Sequence, residues 1–200
     1  MADALEALFA RAQDRGKQRA KATDAAVARW EWASGRLAGR SPAPFADHLE
    51  PARGRLHRKE PATKKHGTTV YGFDERGRVL VVRNHFSATA YTEVQYAYHR
   101  DRYEWVAYRH DGALMGVGIA RLDATGLPTE IRSRGWDGSG SVERVTSEQG
   151  RIVRVEVESR MASGTTIGWV LEASWDEAGL VRLTRRHRGP LATPEVVFAR

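Results

Sequence analysis

Apolar and polar residues alternate with a period of two along most of the chain from Gly67 onward. The clearest run is Ile152–Glu158, where Val153, Val155 and Val157 fall on one side and charged residues on the other. Such alternation is typical of a strand with one buried face. The same pattern predicts further strands near residues 68–73, 79–83, 90–98, 103–109, 114–121, 129–136, 141–147, 167–175, 180–187 and 195–199.

A recurring turn motif separates the predicted strands: an apolar residue precedes Asp, two further residues and Gly. The four instances begin at Phe73, Leu122, Trp136 and Trp175. Asp at the first turn position can accept hydrogen bonds from the backbone two residues on, and Gly at the fourth accepts a positive φ. The motif predicts tight hairpins and, because short connections join antiparallel neighbours, a long antiparallel meander.

Residues 2–34 follow a different period, since apolar residues recur there at three- and four-residue spacing. This spacing predicts an amphipathic helix, or a helix pair divided near Gly16. A basic linker is expected over residues 51–66. The chain therefore divides into residues 1–66, a helix or helix pair plus the linker, and residues 67–200, the meander, within one folded unit.

The predicted fold class is α+β, with the N-terminal helical segment packed on one face of a curled, mainly antiparallel sheet of about ten strands. The other face is expected to be polar, with Arg–Glu pairs between neighbouring strands. The residues available for such pairs are Arg132, Arg134, Arg144, Arg154, Glu156 and Glu172. Because open sheets rarely exceed ~10 strands without curling, partial closure into a barrel is an open alternative.

Composition narrows the class of protein. The chain has 200 residues, no cysteine and a net charge of +7, of which residues 1–66 carry +6 (14 basic and 8 acidic side chains). The N-terminus lacks the apolar core of a signal peptide, and no stretch approaches the ~20 apolar residues of a membrane span. We expect a soluble, cytoplasmic protein without disulfides or membrane contact.

Standard catalytic motifs are absent, so no cofactor is expected and a non-catalytic role is favoured over an enzyme. In a strict meander, alternate turns lie at the same end of the sheet, which places several polar turn residues together. A divalent metal could bind at one end through two imidazoles and two carboxylates. Ordinary turn residues without metal are the preferred interpretation of this set, which is His85, His110, Asp111 and Asp137.

Two further sets are candidates for binding a partner or ligand. The opposite end of the meander collects an acidic rim that includes Asp74, Asp101 and Asp176. One hairpin carries four aromatic residues, which either pack in the core or line a ligand cavity. These aromatic residues are Tyr96, Tyr98, Tyr103 and Trp105.

The basic linker offers a possible contact with phosphates. Its six basic side chains lack interleaved aromatic residues and a recognisable nucleic-acid-binding motif, so a solvated linker is favoured. The six are Arg53, Arg55, Arg58, Lys59, Lys64 and Lys65.

The segments Phe73–Val79 and Trp175–Val181 resemble single units of the YD repeats of RHS-type proteins, whose theme is Tyr-Asp-x-x-Gly-Arg-Leu. Those families build large β shells around secreted toxin domains, in neighbourhoods that also encode small immunity proteins. The resemblance covers about a fifth of the chain and implies hairpin turns at these two places.

Two functional hypotheses follow from the sequence. The first is a non-catalytic protein-interaction protein that engages another protein through its charged sheet or its acidic rim. The resemblance to YD repeats implies an immunity-type version, which neutralises a basic toxin. The second is a curved sheet or barrel that binds a small molecule, and could be an enzyme, with the aromatic hairpin lining its cavity.

Overall fold

The computed structural model describes residues 1–13, 16–37, 40–45, 54–188 and 193–200. Two helices precede a sheet of thirteen strands, whose order is β13-β12-β11-β10-β9-β8-β7-β6-β5-β4-β3-β1-β2. The elements are α1 (Ala2–Gln13), α2 (Gly16–Ala25), β1 (Arg29–Ser34), β2 (Arg55–His57), β3 (Thr68–Phe73), β4 (Val79–His85), β5 (Tyr91–Tyr98), β6 (Arg102–Arg109), β7 (Leu114–Leu122), β8 (Pro128–Gly135), β9 (Gly140–Glu148), β10 (Arg151–Arg160), β11 (Thr166–Asp176), β12 (Gly179–His187) and β13 (Glu195–Ala199).

The antiparallel meander is confirmed, because every strand from β3 to β13 pairs antiparallel with its neighbour in sequence. The strand count is higher than predicted, since β1 and β2 extend the sheet beyond β3. None of the described helices is long and apolar enough to cross a membrane.

The helix predicted over residues 2–34 is wrong in its last part. The segment Arg29–Ser34 is extended and pairs with β3 at six positions, from Arg29 opposite Phe73 to Ser34 opposite Thr68. Trp30 lies on the predicted helical stripe but also fits strand alternation with Trp32, so the local pattern does not distinguish the two states. Pairing with β3 decides the conformation.

The hairpin turns form by the predicted chemistry at most positions. Asp74 Oδ1 accepts hydrogen bonds from the backbone N–H of Arg76 and Arg78, and Gly77 has a φ of +77°. The turn at Trp136 differs from the prediction: Gly138, not Gly140, has the positive φ, at +83°. Gly135, not Asp137, takes the first position of that turn, because the Gly138 N–H donates to the Gly135 carbonyl. The turn therefore begins two residues before the predicted position.

Helix α1 packs on what we call the outer face of the sheet. Its buried residues Leu5, Leu8, Phe9 and Ala12 form one cluster with Val106, Tyr108, Val117 and Ile119. The Tyr108 hydroxyl donates to the Ala12 carbonyl at 3.1 Å, which satisfies a carbonyl at the C-terminal end of α1.

The polar face was expected opposite the helix, and this expectation is wrong. Arginines and glutamates of β8–β12 lie on the outer face, beside α1, whereas the inner face is apolar. Strand alternation separates two sets of residues but does not say which set faces the helix. The charged set lies on the part of the outer face that α1 leaves uncovered.

The inner face is covered in part by residues 36–37 and 40–45, which we call the crossing segment. The Leu37 N–H donates to the Tyr71 hydroxyl of β3, and the Tyr103 hydroxyl of β6 donates to the Pro42 carbonyl. Further along, the ring of Phe45 lies 6.4 Å from that of Trp175 in β11. The segment therefore crosses most of the strands of the sheet.

The sheet is open. Strands β2 and β13 are its two edges, and no pairing joins them in the described part of the chain.

The molecule exposes more surface than a compact chain of its size. Its accessible surface is 11945 Å², whereas a compact monomer of this mass exposes about 9,400 Å². An open sheet whose outer face α1 covers only in part contributes to this excess. A large uncovered face is available for a partner.

Candidate functional site

Arginine dominates the uncovered outer face of β7–β12. Strand alternation and register place nine arginines there against five glutamates, Glu130, Glu148, Glu156, Glu158 and Glu172. Arg151, opposite Glu148 at the β9–β10 turn, is not counted because its guanidinium lies 5.7 Å from the centre of the Trp175 ring, which is part of the inner face. We call this region the arginine surface. Its arginines are Arg121, Arg132, Arg134, Arg144, Arg154, Arg160, Arg182, Arg186 and Arg188.

Part of the arginine surface is a network of ion pairs. Arg154 donates through Nε to Glu156 at 3.1 Å and through a terminal nitrogen to Glu172 at 2.8 Å, across the β10–β11 pair. Arg188 bonds Glu156 at 3.0 Å. The cross-strand pairing expected of Arg154 and Glu172 is thus present, and such exposed pairs contribute about 0–1 kcal/mol each.

Other arginines of the surface are exposed, and their side chains form no ion pair or hydrogen bond within the described part of the chain, namely Arg121, Arg144, Arg160 and Arg182. The charges of Arg121 and Arg144 help to lower the pKa of Glu130, after the larger effect of its hydrogen bond from Arg132. A guanidinium without a bonded partner keeps its donors free for an external carboxylate or phosphate. The excess of arginine and these free groups make the surface attractive to an anionic partner.

A groove of about 500 Å³ lies where α1 meets the arginine surface. Leu5 and Val142 supply apolar lining, and Arg132, Arg134 and Arg160 supply positive charge. Arg134 is held in place, because it pairs with Glu6 of α1 and its guanidinium lies 4.1 Å from the centre of the Phe9 ring. Arg132 pairs with Glu130 at 2.9 Å.

The predicted acidic rim is present at the expected turns, but basic groups accompany its aspartates. Asp74 pairs with Arg78 at 2.8 Å, Asp101 lies 3.5 Å from Arg102, and Asp176 pairs with Arg200. Burial raises the pKa of Asp74, but the hydrogen bonds from Arg78 and Arg76 outweigh it and hold that pKa below its usual range. These aspartates serve turns and local ion pairs.

The aromatic hairpin lies on the inner face. The rings of Tyr96 and Tyr98 are 6.4 Å and 6.1 Å from the ring of Tyr103, which is 3% exposed. Burial strongly raises the pKa of Tyr98 and Tyr103. Trp105 lies against Gly118, where a Cβ atom would overlap the indole ring.

The weak candidate metal set is not assembled in the part of the chain that the structure describes. The described residues contain no group of three or more His, Asp or Glu side chains that could hold a metal ion. His85 and His110 lie on either side of Tyr91, at ring distances of 5.1 Å and 6.2 Å. Asp111 is occupied by Arg109 and the Ala113 N–H, and Asp137 accepts bonds from Ser139.

His85 should make the protein sensitive to acid. Its side chain is 5% exposed and its Nε2 has no partner among the described residues. Burial, helped by the charges of Lys64 and Arg83, lowers the pKa of His85 below 6.5 against an opposing hydrogen bond to Ser87. The unfolded chain therefore binds this proton first as pH falls, so the stabilisation is present above about pH 6.5 and lost below it.

Denaturant unfolding of the wild type and of His85→Gln at pH values between about 7 and 5 measures this effect. The free energy of unfolding should fall more steeply with acidification in the wild type. Equal slopes for the two proteins would contradict the assignment, and His99→Gln at an exposed histidine serves as the control.

The basic linker is described only in part, because Arg53 lies outside the described residues. Arg55 belongs to strand β2, so the linker is not wholly irregular. Lys64 pairs with Glu60 at 2.6 Å, whereas Arg58, Lys59 and Lys65 are exposed.

Sequence reasoning predicted Arg–Glu pairs on one face of the sheet but missed the excess of arginine over glutamate there. The signal was present as arginines at even spacing, such as Arg132 with Arg134 and Arg186 with Arg188. A second missed feature is a groove of about 620 Å³ on the inner face, bordered by Trp105, Met115 and Met161. Small residues from several strands form its floor, so the groove can be located only when the register of those strands is known.

No protein-family model matches the chain, and no curated protein matches it. Among solved structures, the chain is similar to a porin-like protein from Bacteroides uniformis, with 12% sequence identity and a TM-score of 0.42. The match covers 64% of this chain and 52% of that one, so this chain spans about half the length of that protein. A similarity this distant carries no argument about function. Such an argument has to come from the geometry of the sheet.

Proposed function

We propose that this chain is a non-catalytic protein-interaction protein that binds an acidic protein partner on its arginine surface. The observation that carries the proposal is the excess of arginines over glutamates on an uncovered sheet face, with Arg144, Arg160 and Arg182 among the exposed arginines that form no ion pair in the described chain. Complementary charge steers association and selects the partner.

A protein fits this surface better than a nucleic acid does. Glutamates are interleaved with the arginines, as Glu156 and Glu158 lie between Arg154 and Arg160 on β10, and they would repel a continuous phosphate backbone. No aromatic side chain occupies an outer-face strand position among the arginines of β8–β12, so bases would find nothing to stack on. A protein can match both signs of charge.

The immunity-type role is a specific form of this proposal. The resemblance of two hairpins to YD repeats supports it, and the paired state of Asp74 and Asp176 shifts the contact from the acidic rim to the arginine surface. The toxin would then present an acidic patch to this protein.

Neutralising three of the free arginines tests the proposal. The variant Arg144→Gln/Arg160→Gln/Arg182→Gln should lose a stoichiometric protein partner that the wild type captures from the native host's lysate. Its affinity for that partner should fall at least about tenfold, because interface arginines are frequent hot spots. Capture followed by calorimetry with the purified partner measures both results.

The linker variant Arg58→Gln/Lys59→Gln/Lys65→Gln removes the same charge from exposed positions elsewhere. It should retain the partner. Equal loss of affinity in both variants would show that the effect depends only on net charge. Recovery of nucleic acid in place of protein would overturn the proposal.

Binding of a small molecule on the inner face is the second candidate function. The groove beside Trp105 has a volume typical of ligand sites, which range from about 300 to 1,000 Å³. Nearby in the sheet, burial raises the pKa of Glu143. Tryptophan fluorescence against a metabolite panel, with Trp105→Phe as the comparison, would support this function if a response depends on Trp105.

A further inference from the structure

We infer that the groove between α1 and strands β8–β10 binds an extended acidic segment of the partner, with Arg160 as its anchor. This inference rests on the proposed function and names the part of the partner that is recognised. It concerns one groove of about 500 Å³ within a much larger charged face.

Arg160 differs from the other two arginines of the groove. Arg132 and Arg134 form ion pairs with Glu130 and Glu6, whereas the Arg160 side chain has no ion pair or hydrogen bond within the described residues. Its cross-strand neighbour on β9 is Gly140, which has no side chain to cover the guanidinium. The free fork of donors is therefore open to a bidentate carboxylate.

The apolar lining selects the shape of the segment. Leu5, which is 8% exposed, and Val142 border the groove between the charged groups. An extended peptide sends alternate side chains to opposite sides, so one set can contact Leu5 and Val142 while the other reaches Arg160. A segment that alternates acidic and aliphatic residues satisfies both surfaces.

Glu158 limits the strength of binding. It borders the same groove, and no ion pair to it is formed within the described residues. A carboxylate beside Arg160 repels an incoming acidic segment and weakens its binding. Removing that charge should therefore tighten binding, which a purely structural role for Glu158 would not produce.

Two acids of the groove argue against a phosphate chain as its occupant. Glu6 and Glu158 lie along its walls, and a nucleic acid would meet both while finding no aromatic ring among the described lining residues. A peptide can place an aliphatic side chain beside these glutamates, whereas a nucleic acid carries a charge on each phosphate of its backbone. The occupant is therefore an acidic protein segment.

Fluorescence polarisation with a labelled peptide of alternating glutamate and valine tests the inference at low ionic strength. Arg160→Ser should weaken binding about tenfold and Glu158→Gln should strengthen it severalfold. Arg182→Ser is the matched control, because Arg182 is equally free and exposed on the same face but borders no part of the groove. It should change affinity by less than about twofold.

Each other outcome overturns the inference. These outcomes are no binding of the peptide, equal losses in Arg160→Ser and Arg182→Ser, or tighter binding of a single-stranded oligonucleotide than of the peptide. Failure of the proposed function is separate, because it is read from the partner captured by the wild type. If the wild type captures a protein partner but Arg160→Ser and Arg182→Ser weaken binding equally, the arginine surface remains the proposed binding site and the groove does not.

Discussion

Replacing Arg83 with methionine is expected to lower the free energy of unfolding by about 3–5 kcal/mol. Arg83 donates through Nε to Glu93 and through a terminal nitrogen to Asp24, each at 2.5 Å. Glu93 is 4% exposed, so loss of Arg83 leaves a carboxylate buried without its cation. The link between β4 and α2 through Asp24 is lost as well.

A double variant separates the buried charge from the packing. Arg83→Met/Glu93→Gln removes both charges, while the amide oxygen introduced at position 93 could still accept the bond that Gln95 now donates to Glu93. Denaturant unfolding should show that this variant recovers much of the loss, with a coupling of about 1–3 kcal/mol. A loss below about 1 kcal/mol in Arg83→Met alone would show that water replaces the guanidinium.

Truncation of Leu8 to alanine is expected to cost about 2–5 kcal/mol. Leu8 is 0% exposed and belongs to the cluster that joins α1 to Val106, Val117 and Ile119. The cost has two parts: the lost burial of the leucine side chain, and the cavity that remains because α1 can move only partly into the space. Calorimetric or denaturant unfolding measures it.

Leu56→Ala provides the comparison, because Leu56 is 50% exposed on strand β2. Its effect should stay within about 0.5 kcal/mol. Similar losses for both leucines would mean that α1 contributes little to stability. A normal unfolding energy with altered peptide binding in Leu8→Ala would instead indicate that α1 moves relative to the groove.

The strands from β3 to β13 could be predicted because their signals are local. Alternation fixes which residues share a face, and the Asp and Gly of each turn fix where the chain reverses, as at Asp74 and Gly77. Strand β1 could not be predicted in this way. Trp30 fits a helical stripe and, together with Trp32, also fits strand alternation, and only pairing with β3 distinguishes the two conformations.

The candidate site depended on information that no local pattern carries. The sequence identified the residues of the outer face but not that α1 shares it. Which arginines stay unpaired depends on distances between side chains of neighbouring strands, as between Arg154 and Glu172. Arg160 is free because of its position opposite Gly140 at the end of β10, a register that spacing alone does not give.

The crossing segment sets an order on folding. Neighbouring strands pair through short loops, so hairpins can form as soon as both strands have left the ribosome. Phe45, however, is synthesised long before Trp175, against which it packs. The contacts of Leu37 and Pro42 need only β3 and β6, but the Phe45 end of the segment can dock on the inner face only after β11 has been made. Docking of that end is therefore a late step that joins the first part of the chain to the last strands.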